Sequence, residues 1–162
     1  MTAFPITPQG LAKLKEELQR LKKVERYKIS QEIGVARELG DLSENFEYHA
    51  AKDKQGLVEA RIRVLEDQTS RAEVIDPSKL SGSRVVFGAF VVITDIDQDD
   101  ERKYQIVGES ESDLDQGRIS IASPLARALI GREVGDEVRI PGKGGKPRTV
   151  EISDVSFPAA AS

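Results

Sequence analysis

The sequence predicts two domains: an all-α antiparallel coiled-coil hairpin over residues 1–76, and a globular α+β domain over 77–162, an antiparallel sheet with one short helix. Three observations predict this. No proline occurs between Pro8 and Pro77. Apolar residues in that stretch recur three and four apart, the period of a helix stripe. Beyond Asp76 the chain turns to glycine, proline and β-branched residues, the vocabulary of strands and turns.

Thr7-Pro8 is a helix start, with Thr as N-cap and Pro at the first helical position, where its missing N–H costs nothing. Leu11, Leu14, Leu18 and Leu21 then form one stripe. The heptad slips after Leu21, where the next steps meet Glu25 and Lys28, and resumes as Ile29, Ile33 and Ala36, with Gly40 as a stop. A second stripe runs Tyr48, Ala51, Gln55, Val58, Ile62, Leu65, Thr69, Ala72. Two such stripes joined by a short polar turn predict a helical hairpin. About 31 residues at ~1.5 Å each make a rod roughly 45 Å long. Asp76 to Arg84 reads as a linker. Strands are expected at Val85–Phe87, Phe90–Ile96, Arg102–Val107, Ile119–Ile121, Glu137–Ile140 and Arg148–Val155. One short helix is expected between them: Ser123 as N-cap, Pro124 in the first turn, Leu125 to Ile130, and Gly131 as stop. Phe87, Phe90, Tyr104 and Phe157 are assigned to the core.

Composition excludes several chemistries. The chain has 162 residues and a formal net charge of −4, so it is not a uniformly basic nucleic-acid binder. It has no Cys and one His, which excludes disulfide scaffolds, thiolate zinc sites and a cysteine nucleophile and disfavours a histidine-based triad. His49 is given no catalytic role. No apolar run approaches the ~18 residues of a membrane span, and the first residues carry no signal-peptide pattern. A cytoplasmic protein with no membrane partner is expected.

Charge is unevenly spread along the hairpin. From Leu11 to Arg37 eight bases face four acids, whereas Glu38 to Glu47 holds four acids and no base. The basic shaft reads as a solvated face of ion pairs. The acidic tip has two readings. Asp41-Leu42-Ser43-Glu44 fits a capping box, and spacing alone favours that. Alternatively, exposed carboxylates at the end of a rod attract a cation. Two carboxylates are a poor Mg²⁺ cage, so the remaining ligands would come from a partner.

The run from Ala36 to Lys52, with Glu38-Leu39-Gly40-Asp41-Leu42-Ser43-Glu44-Asn45 and Glu47-Tyr48-His49-Ala50-Ala51, resembles the tip of the GreA/GreB family of bacterial transcript-cleavage factors, and is nearer GreA than GreB. Ile6–Gly10, Tyr104–Gly108, Ile119–Gly131 and Val134–Asp136 resemble the same family in the same order. The resemblance implies an FKBP-like second domain that docks on bacterial RNA polymerase. It implies a hairpin that enters the secondary channel of a backtracked polymerase and stimulates the polymerase's own cleavage of the nascent RNA 3′ end. The protein would then be no enzyme itself, and a monomer. Asp41 and Glu44 would help hold Mg²⁺ in the polymerase active site, with no cofactor or metal bound by the chain alone. Ser43 is a weaker positioning candidate, Arg37 and Lys52 are RNA-contact candidates, and Ser123, Pro124 and Leu125 match the docking segment. Ala122 stands where some members carry Asp or Asn, so a polar contact there is absent. The alternatives are an inhibitory paralogue that occupies the same channel, a coiled-coil protein with a prolyl-isomerase-like domain, and a purely structural coiled coil.

Overall fold

The computed structural model describes residues 2–41 and 45–159. Contacts divide the chain into two compact units, 11–71 and 1–10 with 72–162. The sequence-based border at 76/77 differs from this division in its first ten residues and in the last few before the border.

The helical unit contains α1 (Pro8–Arg20) from Leu11 onward, a π-helical turn (Leu21–Glu25), α2 (Arg26–Arg37) and α3 (Phe46–Ser70). Every residue of the predicted α3 stripe from Tyr48 to Thr69 is buried or half-buried. In the first arm the buried residues Leu14, Leu21, Ile29 and Ala36 are seven, eight and seven residues apart. The eight-residue step is the heptad slip, and the π turn sits on it. A π turn takes in one residue more than an α turn, so both halves of the stripe stay on one side of the arm. Arg20 pairs with Glu25, five residues on, across that widened turn at 3.7 Å.

Ile29, Ile33 and Ala51 form a small buried cluster against Tyr48 and Val58. Ion pairs between the arms flank the hairpin core. Arg61 grips Glu17 with two bonds of 2.9 and 3.0 Å, and Arg26 grips Glu59 with two of 2.8 and 2.7 Å. Lys22–Glu66 and Lys54–Glu32 add looser pairs at 3.4 and 3.5 Å. Part of the basic shaft is thus committed to the opposite arm rather than to pairs four residues apart on one helix.

The second unit holds a five-stranded sheet in the order β5-β4-β3-β7-β6, formed by β3 (Phe90–Asp95), β4 (Glu101–Val107), β5 (Arg118–Ser120), β6 (Glu137–Ile140) and β7 (Arg148–Ser156). The expected antiparallel sheet is corrected in one place: β5 runs parallel to β4. Two short 3-10 turns, Glu109–Glu111 and Leu114–Gln116, carry the chain back between them, the crossover that a parallel pair requires. Helix α4 (Pro124–Leu129) packs Ala126 and Leu129 into the core with Val91, Ile93, Ile106 and Ile152. Phe87 is buried, and Tyr104 and Phe157 lie against this core.

Val85–Phe87 is not a strand. Val85 exchanges backbone bonds of 2.8 Å with Arg132 and Gly131, and the chain then turns at Gly88. Gly88 has φ +87°, and a Cβ there would stand 2.6 Å from the Pro77 ring. Pro77 is itself buried, so the segment read as a linker is partly packed.

A short parallel pair, β1 (Phe4–Ile6) with β2 (Ala72–Val74), belongs to the same unit. Thr7 caps α1 as expected, accepting from Gly10 N–H at 3.0 Å. Beyond the expectation, the Glu111 carboxylate accepts from the Thr7 hydroxyl, from Thr7 N–H at 3.2 Å and from Gly108 N–H at 3.0 Å. That carboxylate occupies the space a side chain at position 10 would need. Among the described residues no helix is long and apolar enough to cross a membrane.

Candidate functional site

The tip of the hairpin is built by one side chain reaching both arms. Helix α2 ends at Arg37, and Glu38 and Leu39 N–H close its last turn onto Val35 and Ala36 carbonyls. Gly40 then takes φ +122°, which turns the chain away from the helix where a side chain would be strained. Helix α3 starts at Phe46 with Asn45 as N-cap: the Asn45 Oδ1 accepts from Tyr48 N–H at 3.0 Å. Its Nδ2 donates to the Ala36 carbonyl in the other arm. One amide thus satisfies an orphan donor of α3 and a terminal carbonyl of α2.

The N-cap of α3 is thus Asn45, four residues beyond Asp41. The capping box read over Asp41 to Glu44 falls in part on residues outside the described ones. Asp41 is exposed in the connection between the helices. Ser43 and Glu44 lie outside the described residues. Glu38 and Glu47 are exposed beside them in the chain, so the described part of the tip keeps its acidic character. Arg37 and Lys52 are both exposed, one at the end of α2 and one in the second turn of α3, where Lys52 Nζ donates to Gln55 at 2.9 Å. His49 is exposed, and its ring meets that of Tyr48 edge-on at 5.5 Å, a packing contact. Phe46, the first residue of α3, is 88% exposed. Its position off the Tyr48–Ala51–Gln55 stripe is the signal the sequence holds for it.

Residues 4–74 match the N-terminal domain described as transcription elongation factor, and residues 80–157 match the C-terminal domain of GreA/GreB transcription elongation factors. The chain belongs to the GreA/GreB family. It is 55% identical over 157 residues to the transcription elongation factor GreA of Beijerinckia indica, covering 97% of this chain and 99% of that protein. It is 54% identical to GreA of Brucella anthropi and 52% identical to GreA of Rhodospirillum rubrum, with the same coverage.

The C-terminal GreA/GreB match includes the second candidate segment. Ser123 caps α4, accepting from Ala126 N–H at 3.2 Å and donating to the Ser120 carbonyl at 2.7 Å. Pro124 is exposed, whereas Leu125 is half-buried against the sheet core. Of the three GreA/GreB docking candidates, Ser123 and Leu125 therefore have structural work of their own. Pro124 presents its ring to solvent.

Proposed function

We propose that this GreA/GreB factor binds bacterial RNA polymerase that has backtracked and stimulates the polymerase's own Mg²⁺-dependent cleavage of the RNA 3′ end, so that elongation restarts. The observation that carries the reading is the cap of α3. Asn45 serves as that cap, and Asp41 stands exposed in the tip connection.

The chain's contribution is charge and position. The hairpin delivers Asp41 and Glu44 through the secondary channel to the polymerase active site. Hard carboxylate oxygens suit Mg²⁺, which is usually held by one or two carboxylates, with phosphate and water completing its shell. When bound there, the metal supplies an activated water and charge neutralisation for phosphodiester hydrolysis. Asp41 and Glu44 retain it and orient its water, and Ser43 helps position them. Arg37 and Lys52 neutralise phosphates of the extruded RNA. The bond-breaking machinery belongs to the polymerase, so the factor is no enzyme alone and binds no metal tightly by itself. The 72–162 unit docks on the polymerase with Pro124 at the contact, and the factor works as a monomer in the cytoplasm.

The test is incubation of backtracked polymerase with the factor, read as release of short RNA 3′ fragments. Asp41→Asn and Glu44→Gln are each expected to reduce release strongly while still competing with wild type for polymerase. Full stimulation by both variants would refute the role of the carboxylates.

A further inference from the structure

Phe46 has no role in the packing of the hairpin. At about 100° per residue, its position is about 160° round α3 from Tyr48 and about 140° from Ala51, the residues that face α2. Its ring is correspondingly 88% exposed. A single exposed apolar residue is ordinary. The setting of this one is not. It lies in sequence between Glu44 and Glu47, at the end of the hairpin that also carries the exposed cations Arg37 and Lys52.

Its backbone is also held. Asn45, the residue before it, is tied to Tyr48 N–H and to the Ala36 carbonyl of the other arm. Phe46 is thus a stiff, flat ring with two side-chain torsions on a fixed mount, and little freedom is lost when it meets a partner.

We propose that Phe46 is a base-stacking residue, whose ring takes the face of the unpaired base at the extruded RNA 3′ end. This deepens the function proposed above and rests on it. An RNA end drawn to this tip offers phosphates, which suit Arg37 and Lys52, and a scissile phosphodiester, which suits metal held by carboxylates. It also offers a base whose faces have lost their neighbours. Among the rings of the described tip, Phe46 stands exposed and off the hairpin seam to meet the third, whereas the His49 and Tyr48 rings pack on each other. Stacking on an aromatic is tolerant of base identity, as a factor acting at any backtracked position requires.

The test uses full-length factor and backtracked polymerase assembled on two RNAs, one with a normal 3′-terminal nucleotide and one lacking only that base. Phe46→Ala is expected to lower the cleavage rate on the normal RNA at subsaturating factor by on the order of tenfold, and to match wild type on the baseless RNA. Phe46→Trp should retain the wild-type rate on both, and Phe46→Leu, apolar but without a π face, should behave as alanine. Position 46 is exposed, so each variant should keep the wild-type circular dichroism spectrum. Equal rates for wild type and Phe46→Ala on the normal RNA would overturn the proposal. An equal loss on both RNAs would overturn it too, and would assign the ring to a polymerase surface. If wild-type factor stimulates cleavage of neither RNA, the parent reading fails and this one falls with it.

Discussion

The side-chain amide of Asn45 donates to the backbone carbonyl of Ala36, nine residues back and in the opposite helix, while its oxygen caps α3. The two arms are thereby fastened at the end where the candidate residues lie.

Asn45→Ala should therefore loosen the tip. It removes an N-cap, worth about 1 kcal/mol, and takes from the Ala36 carbonyl the donor that ties it to the other arm, leaving it Leu39 N–H. Asn45→Asp should also melt below wild type, because it keeps the α3 acceptor but sets a carboxylate oxygen against the Ala36 carbonyl. Thermal melting, together with amide exchange at Tyr48 and in the last turn of α2, checks both variants. Equal stability of Asn45→Ala and wild type would show that the amide fastens nothing.

The π turn predicts an asymmetry between deletions. Removing Lys23 turns the eight-residue step from Leu21 to Ile29 into seven, so the arm can continue as regular α-helix with its stripe intact. Helicity should persist and the melting temperature should change by only a few degrees. Removing Ser30, between Ile29 and Ile33, should rotate Ile33 and Ala36 by about 100° off the seam and lower the melting temperature much further.

The ion pairs between the arms set an acid dependence. Hydrogen bonds from Arg61 and Arg26 hold the Glu17 and Glu59 carboxyls below their usual 4.5. The folded state therefore releases these protons more readily than the unfolded one. Their stabilisation is present above pH 4.5 and is lost as pH falls through the lower folded values. Both groups are solvent-accessible, so salt should shrink the effect. Melting of wild type and Glu59→Gln compared over this range, at low and high salt, reads it: the two curves should converge in acid.

How much was visible beforehand depends on how local the physics is. The α3 stripe, the Thr7 and Ser123 caps and strands β3, β6 and β7 follow from neighbours in sequence, and all were legible. The slip after Leu21 was visible, but not the π turn that absorbs it. Asp41 and Asn45 are both short acceptors ahead of an apolar run, and the Ala36 carbonyl that distinguishes Asn45 belongs to the other arm. The parallel placement of β5 depends on a crossover whose direction no local pattern encodes. Glu111 meets Thr7 across 104 residues, so nothing near Thr7 announces it. Phe46 belongs to no motif, and only its place off the α3 stripe marks it.

Docking should separate from chemistry. Pro124→Ala in the full chain should weaken competition for polymerase and leave melting nearly unchanged, because the ring is exposed and Ser123 still caps α4. Leu125→Ala is the poorer probe, since Leu125 packs on the core. Undiminished competition by Pro124→Ala would remove this residue from the contact.

The central claim is that Asp41 and Glu44 help the polymerase hold Mg²⁺. It is tested most directly by titrating Mg²⁺ against the cleavage rate of backtracked complexes, without factor, with wild type and with Asp41→Asn. Wild type should lower the half-saturating Mg²⁺ concentration, with the largest rate gain at low Mg²⁺, and Asp41→Asn should lose that gain there. An unchanged half-saturating concentration with a raised maximal rate would contradict metal retention and leave the two carboxylates orienting water or the RNA end.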